Sequence, residues 1–436
     1  MVFSAMIFSL SCGAAKDVKY LYGDINGDGQ TTAMDYLALR LHIVNEKKLK
    51  GESLTAADVN KDGAINAMDY LAIRLYIIGV SEAPDESSSE TSDVTPKITP
   101  KIAYIPLDDR PVNVDRVIYL AESAGFELLI PQKDLYSTKL DGQPKNSNGS
   151  QIGNRTALLD WLKSIENDVD YYVISIDQML SGGLVGSRWL SNTDLSLEYS
   201  IADYLISLTQ KKHVYLFDTV MRLASTVGFD SYGLNEYNEL RKYGMQARKQ
   251  FPLSDLSIEN IVNNYKYDEN GNLISTSIDG NGISKYLAAR KRKLTLTDYL
   301  LKNCDKSNTY CFVGIDDSSP KTTIQTNEIK YIDNILGKNG NIFGGTDELG
   351  MMAVTRLCTE FYKYAPTVKV TYFGGGENEA ADVFGIETLK ECVDMHIESI
   401  NGKSDGNNGE LQILVLTKTL RAGIGTNARL LFNKAV

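Results

Sequence analysis

The stretch that decides the fold of the N-terminal part is Asp24-Ile-Asn-Gly-Asp-Gly-Gln-Thr-Thr-Ala-Met-Asp35, which runs into Tyr36-Leu-Ala-Leu-Arg-Leu41. Thirty-four positions later the pattern recurs as Asp58-Val-Asn-Lys-Asp-Gly-Ala-Ile-Asn-Ala-Met-Asp69, followed by Tyr70-Leu-Ala-Ile-Arg-Leu75. Each twelve-residue loop has side-chain oxygens at positions 1, 3, 5, 9 and 12, and a glycine at position 6 for a sharp turn. Hard divalent cations need six to eight oxygen ligands, so the repeat predicts two calcium loops, each followed by one helix.

The predicted calcium ligands form two matching sets. Those of the first loop are Asp24, Asn26, Asp28, Gln30, Thr32 and Asp35. Those of the second loop are Asp58, Asn60, Asp62, Ala64, Asn66 and Asp69. The residue at position 7 of each loop contributes its backbone carbonyl, and each loop ends in Asp where Glu is usual.

Residues 20 to 79, which hold the two loops and their helices, resemble a type I dockerin, the module that attaches bacterial enzymes to a cellulosome scaffold. As in that family, no helix-length segment precedes the first EF-hand-like loop. The resemblance implies bound Ca²⁺ and a scaffold cohesin domain as the partner. It also implies cohesin contacts at loop positions 10 and 11 and at one basic residue of each following helix. Those residues are here Ala33, Met34, Arg40, Ala67, Met68 and Arg74.

Length and composition indicate a globular protein of more than one domain, and the N-terminal segment indicates secretion. The 436 residues are 43% hydrophobic and 23% charged, which is ordinary for globular domains. The net charge of −11 argues against a nucleic-acid partner. Residues 1–15 are apolar, end in small residues and predict a secretion signal, although a positive n-region is missing. We see no run that is long and apolar enough to span a membrane.

Residues 80 to 100 are rich in Ser, Thr, Pro and acidic residues, and we expect a disordered linker there. In residues 101 to 436, short apolar runs alternate with helical segments, a pattern typical of α/β domains. Strands are predicted at Ile102–Leu107, Glu127–Ile130, Tyr171–Ile176, His213–Phe217, Tyr310–Ile315, Asn341–Gly344, Lys369–Phe373 and Leu411–Leu416. We therefore predict an α/β fold with a mostly parallel, Rossmann-like open sheet, although eight strands also permit a TIM-like barrel.

Acidic residues follow most of these strands. The carboxyl ends of parallel strands share one edge, so we expect these acids to line one pocket. Clustered carboxylates raise one another's pKa, which separates a proton donor from a base. They could equally hold a divalent metal, or simply stabilise helix N-termini. The candidate catalytic residues are Asp108, Asp109, Asp177, Asp316, Asp317, Asp347 and Glu348.

Four arginines lie in or beside the same motifs and could pair with the acids or bind an anionic sugar: Arg110, Arg188, Arg222 and Arg290. By contrast, the run Arg290-Lys-Arg-Lys293 is predicted to be an exposed helix face. The sequence contains no GxSxG or HExxH motif, and its three histidines suggest no Ser-His-Asp set. Any chemistry is therefore predicted to be carboxylate chemistry.

Residues 101 to about 416 resemble a bacterial family catalogued as a domain of unknown function, DUF4127. The resemblance implies no specific activity. Lys418 to Val436 looks unrelated to that family, so we expect a truncated or frameshifted product with an incomplete active site. The stretches that carry the resemblance are Ile105-Pro-Leu-Asp-Asp-Arg-Pro-Val-Asn113, Val173-Ile-Ser-Ile-Asp-Gln-Met179, Gly182-Gly-Leu-Val185, Tyr286-Leu-Ala-Ala-Arg290, Gly314-Ile-Asp-Asp-Ser-Ser-Pro320 and Gly345-Thr-Asp-Glu-Leu-Gly350.

We interpret the chain as a secreted cellulosome component whose α/β module hydrolyses glycosidic bonds of a polysaccharide with paired carboxylates. The two Asp-Asp doublets, at 108–109 and 316–317, are the predicted acid–base partners. The substrate class rests on association, since dockerins mostly carry enzymes that act on plant polysaccharides. Two alternatives stay open: a non-catalytic carbohydrate-binding module, and a metal-dependent hydrolase of another bond, such as an ester.

Overall fold

The computed structural model describes residues 22–43, 47–61, 63–77, 99–139, 146–147, 149–229, 232–319, 322–380, 387–406 and 409–416. The described chain divides into two compact units, one within residues 22–77 and one that begins at residue 99. The predicted signal segment and all but the last two residues of the predicted linker lie outside the described residues. Within the described residues, no helix is both long and apolar enough to cross a bilayer.

The N-terminal unit is the small all-α module that the repeat predicts. Its helices are α1 (Ala33–Ile43), α2 (Glu52–Ala57) and α3 (Ala67–Ile77). The ring of Tyr36 stacks on that of Tyr70 at the equivalent position of the second repeat, with centroids 3.9 Å apart. The buried core follows the same symmetry, because it pairs repeat-equivalent positions around the short second helix. Its residues are Ile25, Leu39, Ala57, Val59 and Ile73.

The second unit is an α/β module built on a six-stranded sheet. The strand order is β2-β1-β3-β4-β5-β6, and all neighbouring strands are parallel. The predicted α/β class with a mostly parallel sheet is therefore confirmed. The strands are β1 (Lys101–Ile105), β2 (Glu127–Leu129), β3 (Tyr171–Ser175), β4 (His213–Val220), β5 (Thr309–Ile315) and β6 (Gly340–Gly344).

Helices cover both faces of this sheet. Alternate strand residues such as Ala103, Ile174 and Val313 are buried in one large core with helices of one face. Tyr104 and Phe217 point to the other face, where their rings stack. The helices are α4 (Asp115–Ser123), α5 (Lys133–Tyr136), α6 (Arg155–Ser164), α7 (Ile176–Ser181), α8 (Leu184–Ser187), α9 (Ser196–Thr209), α10 (Leu234–Met245), α11 (Ile258–Asn264), α12 (Gly280–Asn303), α13 (Thr326–Leu336), α14 (Leu349–Phe361) and α15 (Leu389–Ser399).

The last two predicted strands do not extend the main sheet. They are β7 (Thr367–Phe373) and β9 (Leu411–Leu416), which with the short β8 (Lys403–Ser404) form a separate parallel sheet of order β8-β7-β9. Strand β4 also runs three residues beyond the predicted end at Phe217, so Asp218 lies inside a strand. Periodicity identifies strands, but it does not tell which sheet each one joins.

The prediction that the run Arg290–Lys293 forms an exposed helix face is wrong. Helix α12 packs against α9, α11 and α13, and the side chains of Arg290, Arg292 and Lys293 are buried in this packing. Each buried charge is matched by a carboxylate from a distant part of the chain; Arg292, for example, forms an ion pair with Glu198. The described cysteines, including Cys304 and Cys311, are free thiols.

Candidate functional site

In the first predicted calcium loop, the backbone folds around its own carboxylates. Asp24 accepts hydrogen bonds from the backbone N–H groups of Gly27, Asp28 and Gly29 at 2.8–3.1 Å. Asp35, at the last loop position, accepts from the backbone N–H groups of Ile25 and Asn26 at the start of the loop and from that of Thr32. Hydrogen bonds between the backbone and these two carboxylates therefore hold the loop in its folded shape.

The second loop repeats this arrangement. Asp58 accepts from the N–H of Gly63, while Asp69 accepts from the N–H groups of Val59 and Asn66. The predicted ligand Asp62 lies outside the described residues. Asp24, Asp35 and Asp69 are all but fully buried. Since burying a carboxylate is costly without a counter-charge, this all-oxygen donor set fits a hard cation such as Ca²⁺.

The predicted cohesin contacts lie at the surface of the same unit where the structure describes them. Met34 is 62% exposed, and Ala33, Arg40 and Arg74 are exposed as well. Met68 is half-buried, and the side chain of Ala67 lies outside the described residues.

In the α/β module, Arg110 joins the chain after β1 to the chain after β6. Its guanidinium donates to both carboxylate oxygens of Asp108 at 2.8–3.0 Å and to both oxygens of Asp347 at 2.6–3.0 Å. Asn113 donates a further hydrogen bond to Asp108. Burial alone would lower the pKa of Arg110, but the two carboxylates raise it overall. Three of the predicted site residues therefore meet in one network.

A glycine allows helix α14 to begin close to β1. A Cβ at Gly350 would lie 2.4 Å from the hydroxyl oxygen of Tyr104, so a larger residue could not sit there without displacing the ring. Tyr104 in turn donates a hydrogen bond to the carbonyl of Asn113. This close approach helps to bring the segment after β6, with Asp347, to the segment after β1.

Two other predicted arginines hold the doublet after β5. Arg188 donates to Asp316 at 2.6–2.7 Å, and both side chains are buried. Arg222 lies 3.4 Å from Asp317, which is about one-third exposed. The doublet predicted as half of an acid–base pair is thus engaged by arginines.

Two predicted residues, Arg290 and Asp177, face away from solvent. Arg290 is fully buried and forms an ion pair with Glu328. Asp177 is buried with Lys293, and the same lysine is 2.8 Å from Asp218. Burial raises the pKa of Asp177, although Lys293 opposes this shift. Asp218 directly follows the predicted strand His213–Phe217, but the candidate catalytic residues do not include it, and sequence reasoning missed Lys293.

Glu348 turns toward helix α15. The Nε2 atom of His396 lies 3.6 Å from its carboxylate, and Nδ1 lies 2.7 Å from the carbonyl of Cys392. Burial alone would lower the pKa of His396, but hydrogen bonds to Cys392 and Glu348 raise it to about 10. A protonated His396 therefore anchors the segment that carries Asp347 and Glu348.

A cavity of about 720 Å³ opens beside this network, at the carboxyl ends of β1 and β2. The strand order reverses between β1 and β3, whereas the cavity lies on the β2 side of β1, at the carboxyl edge of the sheet, where open α/β sheets bind ligands. Asp109 is buried in its wall, and Asp115 and Asp134 are exposed. Burial, and then the nearby Asp109 and Asp115, raise the pKa of Tyr136. The residues that line the cavity include Asp109, Arg110, Asp115, Asp134 and Tyr136.

The predicted acids are therefore distributed over several local environments. Asp109 lines the cavity, and Asp108 and Asp347 hold the arginine beside it. That all seven acids line one pocket remains a prediction. Within the described residues of the α/β module, no group of three or more His, Cys, Asp and Glu residues is arranged to hold a metal.

These features define a protein with a small calcium-loop module and a doubly wound α/β module. Residues 22–78 match the dockerin type I domain, a domain that binds calcium and a cohesin in cellulosome-type assemblies. Residues 102–427 match the family described as "Protein of unknown function (DUF4127)", and the chain belongs to that family. Both predicted resemblances are confirmed. The family match continues to residue 427, so the expectation that the chain is unrelated to the family from Lys418 onward is wrong for residues 418–427. No curated protein and no solved structure matches the chain significantly.

Proposed function

We propose that the chain is an extracellular cellulosome component whose α/β module hydrolyses glycosidic bonds in the cavity beside β1. The observation that supports this most directly is the set of three carboxylates, Asp109, Asp115 and Asp134, that lines one cavity at the carboxyl ends of β1 and β2. Glycoside hydrolysis needs two carboxyl groups in different environments, one to donate a proton and one to act as base or nucleophile. We also propose that the dockerin binds two calcium ions, one in each loop.

The three acids differ in exposure, which suits such a division of roles. Asp109 is buried beside Tyr136, and a desolvated carboxyl group is suited to donate a proton. Asp115 and Asp134 are exposed to solvent, as a carboxylate that activates water or attacks the sugar would be. Arg110, one-third exposed and fixed by Asp108 and Asp347, is placed to donate hydrogen bonds to sugar hydroxyls. We propose that Asp316 and Asp317 orient Arg188 and Arg222, at the carboxyl end of β5, for contact with the same polysaccharide.

A second candidate function is carbohydrate binding without catalysis. Asp108, Asp316, Asp317 and Asp347 are all engaged by arginines. Charge-assisted hydrogen bonds of this kind fix the position of each carboxylate and guanidinium group, which suits recognition of sugar hydroxyls. The rim would then recognise sugar hydroxyls and leave the bond intact.

The test is to screen the full-length, calcium-loaded protein on a panel of plant polysaccharides, measuring both retention and release of reducing ends. Glycoside hydrolysis predicts new reducing ends on at least one polysaccharide. Retention without product would support the binding module instead. In an arm with EDTA, loss of hydrolysis would favour the metal-dependent alternative. If a correctly folded protein is not retained on any polysaccharide and releases no product, both proposals are contradicted.

A further inference from the structure

A second cavity lies at the opposite edge of the main sheet, at the amino ends of β4 and β5. Its volume is about 160 Å³, and it belongs to neither the calcium loops nor the proposed active site. The backbone reaches it at His213 and Thr309, the first residues of the two strands. The segments before β5 and after α13 add Lys306 and Lys338 to the wall, and helix α14 also contributes side chains.

The charge of this cavity is opposite to that of the protein as a whole. Lys306, Lys338 and Arg356 line it, whereas Glu360 is the one carboxylate among the described lining residues. Arg356 forms an ion pair with Glu360, which also accepts a hydrogen bond from Tyr215. The charge of Glu360 is therefore matched, and two lysine charges remain in a chain whose net charge is −11.

The two lysines keep donors free for a ligand. Lys306 donates to the carbonyl of Ile335 at 3.3 Å, which uses one of the three N–H groups of an ammonium. Lys338 is exposed and forms no ion pair within the described residues. Asn339 donates to the backbone carbonyl of Lys306, so the segments that carry the two lysines are tied together.

The floor of the cavity is rigid and polar. The Arg356 guanidinium stacks on the ring of Tyr310 at 4.0 Å, which fixes its plane. The hydroxyl of Thr309 is buried and has no hydrogen-bond partner in the described part of the chain, an arrangement that costs free energy unless a ligand or water completes it. The lining therefore offers cationic and hydroxyl donors around a space for a small ligand.

We propose that this cavity binds a small oxyanion, such as the carboxylate of a uronic acid sugar or an inorganic sulfate. Lysine ammonium groups recognise such anions by charge and by several hydrogen bonds at once. The cavity lies at the edge of the sheet opposite to the proposed catalytic rim, so this inference does not depend on glycoside hydrolysis.

The test is calorimetric titration of the full-length, calcium-loaded protein at constant ionic strength with three probes. Sodium galacturonate and galactose differ mainly in the carboxylate, and sodium sulfate supplies an oxyanion without a sugar. Galacturonate or sulfate should bind, and galactose should bind at least about tenfold more weakly than the anion that binds. Sulfate matching galacturonate would identify a free-anion site; tighter galacturonate would show that the sugar is recognised too.

Variants decide whether binding occurs in this cavity. Lys306→Ala and Lys338→Ala should each weaken anion binding about tenfold, the loss expected for one charge-assisted hydrogen bond. Lys291→Ala, which removes an exposed lysine of α12, should leave binding unchanged. Each variant should melt at the wild-type temperature, because neither cavity lysine is buried. The inference is overturned if galactose binds as tightly as the anions, if no anion binds, or if the Lys306→Ala, Lys338→Ala double variant binds them normally.

Discussion

The buried lysine of helix α12 provides a sharp test of how the α/β module is held together. Lys293 forms ion pairs with Asp177 and Asp218, and hydroxyl groups of Thr219 and Thr297 donate to the same carboxylates. All five side chains are buried, so the cluster holds one positive and two negative formal charges away from water. Lys293→Met keeps most of the apolar stem and removes the positive charge.

The expected loss of stability is large because two carboxylates then remain buried without a cation. Removing one partner of a buried ion pair costs about 3–5 kcal/mol. At about 2 °C per kcal/mol for a module of this size, the melting temperature should fall by roughly 6–10 °C. The two tryptophans, Trp161 and Trp189, both lie in this module, so their fluorescence reports its unfolding in the full-length protein.

The pH dependence has a definite sign. Burial already raises the pKa of Asp177 above its usual value. A carboxylic acid with a raised pKa in the folded state contributes stability below its unfolded pKa, and that contribution is lost as the pH rises through the folded pKa. Without Lys293 the pKa of Asp177 should rise further. The deficit of Lys293→Met should therefore shrink as the pH falls from 8 toward 5.

Two variants complete this experiment. Lys291→Met removes an exposed lysine of the same helix and should leave the melting temperature unchanged. Adding Asp177→Asn to Lys293→Met should recover part of the lost stability, because one uncompensated charge disappears with the second change. A Lys293→Met protein with the same melting temperature as the wild type at pH 8 would refute the ion-pair reasoning.

Three further outcomes are expected. EDTA should reduce the far-ultraviolet circular dichroism of the helices within residues 22–77 but leave the tryptophan-detected melt unchanged; an unchanged helical signal would contradict calcium-dependent folding. Replacing Ala33 and Met34 with aspartates should leave cohesin affinity nearly intact, while also replacing Ala67 and Met68 should abolish it, since the repeats offer two equivalent faces; complete loss from the first pair alone would exclude a dual binding mode. His396→Ala should impair the proposed activity by releasing the segment of Glu348, and His396→Gln should restore part of it; equal activity of all three proteins would remove the anchoring role.

The sequence predicts the dockerin and the parallel strands well because each signal is local. Ligand spacing in the calcium loops depends on twelve consecutive residues, and apolar runs such as Tyr171–Ile176 identify a buried strand without reference to the rest of the chain. The position of Asp108 and Asp109 after β1 follows from the same reasoning, since the end of a parallel strand places them at the ligand-binding edge.

Long-range pairing accounts for what the sequence does not predict. Lys293 is separated by 75 and 116 positions from the acids that neutralise it, so its helix face looks exposed when it is considered alone. Asp347 meets Asp108 through an arginine 237 positions away, which no local pattern records. The division of strands between two sheets likewise depends on packing between helices and sheets that are distant in sequence.

The most direct test of the proposed site is the turnover of Asp109→Asn on a polysaccharide that the wild-type protein hydrolyses. Asn preserves the shape of this buried side chain but cannot transfer a proton. Turnover should fall on the order of 10²- to 10⁴-fold with an unchanged melting temperature, because general acid–base catalysis contributes about that much. Asp160→Asn, at an exposed position of helix α6, should retain wild-type turnover. Wild-type turnover in folded Asp109→Asn would contradict the assignment of catalysis to this cavity.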